Sequence, residues 1–492
     1  MPTRREFLSG AMALYFGARL NPLWADESQF VNDIHSGLNR TRVAKIVTPK
    51  TSAEVQEVVR HAKAKRMSVS IAGGRHAMGS QQFGTDTVLI DMRGLNRTLA
   101  YDADRHTIEV SGGAFWLSVI DEYLLRQKGQ VQQWGVAQKQ TGADNISMGG
   151  TLAANAHGRG LAMRPFVSNV DSFQLINADG QLLKCSRAEN PELFKLVIGG
   201  YGLFGVVPSV TLRLVPRQKI QRIVEIRSTD GLMEAFDQKI KDGFLYGDFQ
   251  FAVDPESEDF LHRGVFSCYK PVDPATVMPE HEKQLSDESW RTLLYLAHEN
   301  KSEAFKRYAD YYMSTNGQLY WSDVHQLSFY PEHYHRLIDQ KMHAKQPGSE
   351  MITEINVPRD QISEFLAEVR EDFRRNKVEL IYGTVRLIEK DDESFLPWAK
   401  QPYACTIFNL HAAHTPAALQ NSAEAFRRLI DIAIRRKGTY YLTYHKHARK
   451  DQVLACYPNF PEFLSLKRRY DPQERFQSDW YRHYKKMFAG TV

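Results

Sequence analysis

Three glycine-rich segments in the first half of the chain contain the residue types best suited to holding an anion. They are residues 72–79, with the sequence AGGRHAMG, residues 147–158, with SMGGTLAANAHG, and residues 200–205, with GYGLFG. Glycine lets backbone N–H groups approach an anion closely, because no side chain stands in the way. Each segment alone is also compatible with a tight turn. The prediction of one diphosphate site therefore requires the segments to converge in the fold.

Residues 200–205 also match the GxGxxG pattern of dinucleotide-binding proteins, and Glu225 lies at the expected distance beyond them. That fingerprint needs a strand before the glycines and a helix after them, because the helix N-terminus holds the pyrophosphate. Here residues 191–198 have a helical pattern, while residues 206–215 alternate like a strand and contain Pro208. The pattern argues against a Rossmann site.

Short strands and helices must position these segments. Residues 43–47 form an apolar strand-like run, and Thr51 to Glu54 form a capping box that predicts a helix start at Thr51. Residues 68–71 predict a strand that ends at Gly73 and Gly74. Further strand patterns occur at residues 88–91 and 107–110. The first domain is predicted to extend to about residue 215.

The pattern changes after that point. Residues 289–312, 362–373 and 417–434 have long helical patterns, and they alternate with strand patterns at residues 351–357, 379–388 and 403–411. This arrangement is typical of an α+β domain. The closing segment contains a strand-like run at residues 440–445 and a helix-like run at residues 461–470.

Composition restricts the class of protein. The chain has 492 residues, of which 42% are hydrophobic and 25% are charged, as in ordinary globular proteins. Its 63 basic and 58 acidic residues leave a net charge of +5, too small to favour nucleic-acid binding. The cysteines, Cys185, Cys268, Cys405 and Cys456, lack metal-ligand spacing, so no metal site is predicted. They are either free buried thiols or include one disulfide.

The N-terminus resembles an export signal. Arg4 and Arg5 precede Phe7 and Leu8, an apolar stretch covers residues 7–18, and Ala25 offers a small residue for cleavage. Paired arginines in this position are similar to the twin-arginine kind. The stretch is too short to span a bilayer, so no stable membrane span is expected. Residues 1–25 predict a periplasmic or secreted protein, and an ordinary N-terminal helix of a cytoplasmic protein is the alternative.

In order and spacing, the motifs AGGRH, SMGGTLAANAHG and GGYGLFGVV resemble the PCMH-type FAD-binding domain of the vanillyl-alcohol oxidase superfamily. Within it, alditol and aldonolactone oxidases and cytokinin dehydrogenases are most similar. Residues 457–479 resemble the C-terminus of that family, whereas the middle of the chain matches it loosely. The resemblance implies an α+β fold with a two-subdomain FAD domain at residues 30–215, a substrate domain with an antiparallel sheet at 216–440, and a segment at 441–492 that returns to the FAD domain.

The resemblance also implies where FAD binds, with its pyrophosphate on residues 73–80 and 147–158. The expected cofactor-binding residues are Gly73, Gly74, Arg75, His76, Ala77, Met78, Gly79, Ser147, Gly149, Gly150, Thr151, Asn155, Gly158, Val206 and Val207. His76 occupies the position that many members bond covalently to the flavin 8α-methyl group. A turn histidine beside non-covalent FAD is the alternative. A second linkage is not expected, because residues 142–145 contain no cysteine.

On the substrate side, Tyr382, Thr384 and Arg386 share one face of a predicted strand by their period of two. Residues 384–386 resemble the Glu-x-Arg strand of polyol and aldonolactone oxidases, which assigns Arg386 to the active-site arginine. Thr384 stands where those enzymes have an acid, which puts a direct transfer of their mechanism in doubt. A surface charge is the alternative for Arg386.

Two histidines are candidates for accepting the substrate's proton or anchoring the substrate. His445 lies where lactone oxidases have a His-Trp-Gly-Lys stretch, and His411 follows Asn409 on one strand face. The alternative for each is that it is only a packed or surface histidine. Glu354 is a weaker candidate, as a carboxylate. Cytokinin dehydrogenases have a catalytic aspartate close to the position of Gly142. Because this chain has glycine there, amine oxidation of that type is less favoured.

The sequence thus predicts an exported FAD-dependent oxidoreductase that oxidises a CH–OH group of a sugar, polyol or lactone by hydride transfer to flavin N5. Oxidation of an amine or aromatic alcohol is the alternative enzyme activity. A flavin-binding or electron-transfer protein without turnover is the non-enzymatic alternative. The final electron acceptor, oxygen or a periplasmic carrier, the substrate's identity and the oligomeric state are left open.

Overall fold

An antiparallel strand pair followed by a parallel strand–helix–strand unit begins the first domain. The computed structural model describes residues 29–328 and 331–490, so the expected export signal in residues 1–25 lies outside the described residues. The strands of this domain are β1 Gln29–Val31, β2 Thr41–Val43, β3 Lys45–Val47, β4 Val69–Ala72, β5 Val88–Asp91, β6 Thr98–Asp102, β7 Thr107–Ser111, β8 Trp134–Gly135, β9 Val170–Ile176, β10 Leu182–Ser186, β11 Val206–Arg213 and β12 Val215–Pro216. Its helices are α1 Ser52–Ala64, α2 Trp116–Arg126, α3 Met148–Ala154 and α4 Pro191–Val197.

The first domain contains one parallel and one larger antiparallel sheet. Strands β3, β5 and β4 form a parallel sheet in that order, and β10, β9, β11, β7 and β6 form an antiparallel one. Thr51 caps α1 by accepting a hydrogen bond from the Glu54 N–H at 3.2 Å. Glu54 in turn accepts from the Lys50 N–H at 2.8 Å, so the predicted helix start is correct. The apolar face of α1 packs on the parallel sheet.

A long antiparallel sheet forms the second domain. Its strands are β13 Lys219–Ser228, β14 Tyr246–Phe251, β15 Arg263–Pro271, β16 Leu319–Trp321, β17 Gly348–Pro358, β18 Leu380–Ile388, β19 Tyr403–Ala413 and β20 Thr439–Tyr440. They lie in the order β16-β13-β15-β14-β18-β19-β17-β20. The helices are α5 Leu232–Lys241, α6 Asp287–Glu299, α7 Lys301–Met313, α8 Tyr334–Lys341, α9 Ile362–Arg375 and α10 Pro416–Arg435. The predicted α+β fold with an antiparallel sheet is confirmed.

The structure corrects two predicted elements. The helix expected over residues 289–312 is broken at Asn300, whose φ of −150° is not helical and whose side chain caps α7 by accepting from the Glu303 N–H. The strand expected over residues 440–445 ends at Tyr440, because only Thr439 and Tyr440 pair with β17. The following residues turn away toward the first domain.

The C-terminal segment packs against the first domain through α11 Lys450–Cys456, α12 Phe460–Tyr470 and α13 Asp479–Met487. The Val69 N–H donates to the Arg475 carbonyl at 2.7 Å, and the Gln477 N–H donates back to the Val69 carbonyl at 2.8 Å. The Thr85 hydroxyl donates to Asp479 at 2.7 Å. The beginning and end of the described chain therefore form one unit.

The remaining expectations about the whole chain concern thiols and membranes. Cys185, Cys268, Cys405 and Cys456 are all buried and free, so the disulfide alternative is not realised. Within the described ranges, no helix combines the length and the apolar character needed to cross a bilayer.

Candidate functional site

A cavity of about 2000 Å³ lies between the first domain, the long sheet and the segment that follows β20. It is larger than the pockets of about 300–1,000 Å³ that hold most small ligands. One end is lined by the glycine segments and the other by polar side chains of the long sheet, including Arg386. A dinucleotide together with a substrate would fit this combination of volume and lining.

The glycine segments converge, and bare backbone is what lets them do so. A Cβ added to Gly73 would lie 1.9 Å from Ser147 Oγ, and one added to Gly74 would lie 2.2 Å from the Asn145 carbonyl oxygen. The Gly149 N–H donates to the Gly112 carbonyl at 2.7 Å. Residues 202–205, from the third segment, line the same cavity. These contacts satisfy the sequence-based requirement that separate turns meet at one site.

Most of the predicted cofactor residues line the cavity. They are Gly73, Gly74, Arg75, His76, Ala77, Met78, Ser147, Gly149, Gly150, Thr151 and Val207. Four others are held elsewhere: Gly79 packs on the Tyr444 carbonyl, Gly158 on the Lys139 carbonyl, and Val206 lies in the apolar core. Asn155 ends α3 in a left-handed conformation and donates to Asp391 at 2.8 Å. These four positions shape the site without lining it.

The imidazole of His76 is fixed from both sides. Its Nε2 lies 3.2 Å from the Asn145 carbonyl, which only accepts, so Nε2 carries the proton. Its Nδ1 lies 2.8 Å from His35 Nε2 and therefore accepts from it. Burial, with the neighbouring His35, lowers the pKa of His76 well below its usual value. At neutral pH the ring is a neutral imidazole with its lone pair on Nδ1.

The polar end of the cavity is built by β14 and β18. Arg386, Tyr382 and Thr384 lie on the sheet face that was predicted from their period of two. The antiparallel register that pairs Phe249 with Val385 places Asp248 opposite Arg386 and Gln250 opposite Thr384. Asp248, Gln250, Tyr382 and Arg386 line the cavity, and both Asp248 and Arg386 are buried.

Several buried polar atoms at this end have no hydrogen-bond partner within residues 29–328 and 331–490. They are Asp248 Oδ1, Gln250 Oε1, Arg386 Nε, Arg159 Nε and both ring nitrogens of His325. Native proteins pair nearly all buried polar atoms, so a cluster of unpaired ones indicates a place for a polar ligand. A hydroxyl-rich molecule matches this mixture of donors and acceptors.

The two candidate histidines lie outside the cavity lining. His445 stacks on His447 with ring centroids 5.3 Å apart, and burial lowers its pKa to about 3. His411 faces Glu350, with Nδ1 3.8 Å from the carboxylate. Glu354 accepts from His157 at 2.7 Å and contacts the Tyr444 hydroxyl at 3.4 Å. These positions do not support a direct role in substrate binding for His445 or His411, because neither residue lines the cavity that Arg386 lines.

Sequence reasoning missed Asp248, Gln250, Arg159 and His325. The signal for the first two was present, since Asp248 and Gln250 interrupt the apolar strand Tyr246–Phe251 with period two. Arg159 donates to the His325 carbonyl at 2.8 Å and lies 3.6 Å from Asp248. No sequence signal links these residues, because they lie on separate elements.

Comparisons with known proteins agree with this geometry. A family model described as "FAD binding domain" matches residues 43–186, and one described as "D-arabinono-1,4-lactone oxidase" matches residues 210–484. An L-gulono-1,4-lactone dehydrogenase of Mycobacterium tuberculosis is 24% identical over 442 residues, which cover 89% of this chain and 95% of that protein.

Two other relatives match a smaller share of the chain. The L-gulonolactone oxidase of Bos taurus is 27% identical over 212 residues, covering 43% of this chain and 46% of that protein. Cytokinin dehydrogenase 9 of Oryza sativa subsp. japonica is 26% identical over 203 residues, covering 40% of this chain and 37% of that protein. Less than half of each of these two relatives is therefore matched.

Proposed function

The chain belongs to the D-arabinono-1,4-lactone oxidase family and is an FAD-dependent oxidoreductase, and from this premise we propose that it oxidises a hydroxyl-bearing carbon of a sugar lactone. The observation that carries the proposal is that Arg386 and Asp248, opposite each other on neighbouring strands, both line the end of the cavity away from the glycine turns. Bound FAD supplies the acceptor for a hydride from that carbon.

The glycine turns hold the cofactor in this proposal. Gly73, Gly74 and Gly149 bring backbone together at one end of the cavity, where no Cβ obstructs a diphosphate. His76 would hold the flavin covalently through Nδ1, the nitrogen that has the lone pair, and that bond would replace the hydrogen bond that Nδ1 accepts from His35. Its lowered pKa keeps the imidazole neutral and therefore nucleophilic at physiological pH.

The residues of β14 and β18 bind and orient the substrate. The Arg386 guanidinium donates to lactone or hydroxyl oxygens and offsets negative charge that develops beside it. Asp248 Oδ1, which has no partner in the described structure, accepts a hydrogen bond from the reacting hydroxyl and holds its proton. Asp248 thus supplies, from the neighbouring strand, the carboxylate that is missing at Thr384.

Amine oxidation is the second candidate, because a cytokinin dehydrogenase matches 40% of this chain. The polar end of the cavity favours a hydroxyl-rich substrate over it. Anaerobic mixing of the purified protein with aldonolactones, polyols, aromatic alcohols and N6-substituted adenines separates the candidates. Bleaching of the flavin by lactones supports the proposal. Bleaching by the adenines alone, or by dithionite alone, overturns it.

The proposal includes export of the protein from the cytoplasm. Arg4 and Arg5 followed by Phe7 and Leu8 support a twin-arginine signal that delivers the folded, cofactor-loaded protein to the periplasm or medium. Replacing both arginines with lysine should retain the protein in the cytoplasm with its flavin bound. Unchanged export of that variant, measured by cell fractionation, would contradict a twin-arginine route.

A further inference from the structure

A cluster of three metal-ligating side chains lies beside the cavity and is not used by the proposed reaction. His298 comes from α6, Glu350 from β17 and His411 from β19. His298 Nε2 lies 3.7 Å from Glu350 Oε1, and His411 Nδ1 lies 3.8 Å from the same oxygen. The three atoms all lie within 4.8 Å of one another. Three distant parts of the chain thus converge on one point.

None of these three atoms has a hydrogen-bond partner in the described part of the chain. Their separations exceed the hydrogen-bond range of about 2.7–3.2 Å, so the cluster is not an ordinary His–Glu–His network. The side chains of His298 and Glu350 are each only 4% exposed. Buried unpaired acceptors and donors are costly, and a ligand that satisfies all three at once would remove that cost.

The spacing suits a zinc-like ion. Tetrahedral zinc bound at about 2.0–2.2 Å separates its ligand atoms by roughly 3.4 Å. The two distances to Glu350 Oε1, 3.7 and 3.8 Å, exceed this by a few tenths of an ångström, and the two histidine nitrogens lie within 4.8 Å of each other. Two imidazoles and one carboxylate are also a common ligand set for zinc. Small side-chain rotations would therefore complete the coordination.

A second layer holds the ligands in place. The Tyr334 hydroxyl donates to Glu350 Oε2, which leaves Oε1 directed at the two histidines. Gly348 makes room for the His411 ring, since a Cβ there would lie 2.5 Å from its Cε1. Outer partners of this kind fix the orientation of metal ligands.

We propose that His298, Glu350 and His411 bind one divalent transition-metal cation of the zinc type, with solvent in the remaining position. The ion clamps α6 to the long sheet at the wall of the cavity, because Leu294 and Ala297 of α6 and Ile352 of β17 line it. No metal was predicted from the sequence, since the three ligands come from separate elements without recognisable spacing.

Cobalt binding tests this site independently of the flavin reaction. The untagged, full-length protein, with its flavin bound, is stripped with a chelator, returned to chelator-free buffer and titrated with Co²⁺ and then Zn²⁺. We expect one Co²⁺ per chain with a tetrahedral visible spectrum that Zn²⁺ abolishes. Glu350→Gln and His298→Asn should each weaken Co²⁺ binding at least about tenfold. The matched control is His262→Asn, a histidine at the surface beside Asp230.

Circular dichroism and flavin content show whether each variant is folded, and His411→Asn, whose side chain is partly exposed, replaces any variant that is not. The proposal is overturned if the wild-type protein gives no cobalt spectrum and no stabilisation by Zn²⁺. It is equally overturned if folded variants bind Co²⁺ as the wild type does. Loss of lactone oxidation with intact cobalt binding would instead count against the proposed function alone.

Discussion

His35 Nε2 lies 2.8 Å from His76 Nδ1, and both rings line the cavity beside the glycine turns. The Asn145 carbonyl holds the opposite nitrogen of His76, so His35 and Asn145 together fix the orientation and the tautomer of the ring. His35 is thus a positioning residue for the proposed flavin tether. This assignment can be tested separately from catalysis.

Acid denaturation measures the tether. In the wild type, flavin should remain with the acid-precipitated protein, and in His76→Ala it should be released in full. His35→Leu should lower the covalent fraction, and His35→Gln should restore part of it, because the amide N–H can still donate to Nδ1. His262→Gln serves as the surface control. Acid-stable flavin in His76→Ala, or equal covalent fractions in both His35 variants, would contradict these roles.

A methyl group at Gly73 should disrupt the cofactor end of the cavity. Its Cβ would lie 1.9 Å from Ser147 Oγ, and overpacking of this kind costs about 1–3 kcal/mol. We expect Gly73→Ala to lose most of its FAD and unfold at lower denaturant concentration. The double variant Gly73→Ala/Ser147→Gly removes the clashing side chain and should recover FAD content, at a capping cost of a few tenths of a kcal/mol. If the double variant does not recover its FAD, the clash with Ser147 is not the reason that Gly73 is required.

Removing the charge of Asp248 should slow substrate oxidation without releasing flavin. Hydrogen bonds to charged groups contribute about 1.5–3 kcal/mol, so Asp248→Asn should lower kcat/KM for a lactone by roughly 10- to 150-fold. Asp104→Asn, at an exposed turn, is the control. Steady-state kinetics with flavin content measured in parallel checks the prediction. An unchanged kcat/KM in Asp248→Asn would exclude its contact with the reacting hydroxyl.

Much of the cofactor end was predictable from sequence, because glycine at a close backbone contact is a local signal. The face shared by Tyr382, Thr384 and Arg386 was predictable for the same reason, since strand periodicity is local. The strand that lies beside this face, β14, was not predictable from the sequence. Asp248 lies opposite Arg386 only because β14 lies beside β18 in the sheet, and sheet order depends on packing over the whole domain.

The two errors in predicted elements have different causes. The apolar periodicity of residues 289–312 continues across Asn300, but its side chain caps α7 and ends the helical hydrogen bonding there. Residues 440–445 have the composition of a strand, yet bonding to β17 ends with the Tyr441 N–H, which donates to the Glu354 carbonyl at 3.1 Å, and Tyr441, Thr443 and Tyr444 line the cavity. Tertiary contacts outweighed local propensity in the second case.

Buried neutral histidines should make the fold sensitive to acid. Burial lowers the pKa of His445 and of His447 to about 3, so the folded protein takes up their protons far below the value of about 6.5 of the unfolded chain. Between about pH 6.5 and 3 the unfolded state binds more protons, and the free energy of unfolding falls as the pH falls. Each histidine contributes up to about 1.4 kcal/mol per pH unit.

Denaturant unfolding at pH 7.5, 6 and 5 checks this dependence. His445→Gln removes one titrating group and should make the free energy of unfolding less steep with pH than in the wild type. His262→Gln, at the surface, should not. The same slope in His445→Gln and the wild type would show that His445 is protonated in the folded protein.

The central claim is that this cavity oxidises a hydroxyl-bearing carbon by breaking its C–H bond beside Arg386 and Asp248. The most direct test is the rate of anaerobic flavin reduction in stopped flow with an aldonolactone and with its carbon-deuterated form. Our account predicts rapid reduction by the lactone and a several-fold slower rate with deuterium, both lost in Arg386→Ala that still holds its flavin. A flavin that no lactone reduces, or an Arg386→Ala protein that is reduced as fast as the wild type, would contradict it.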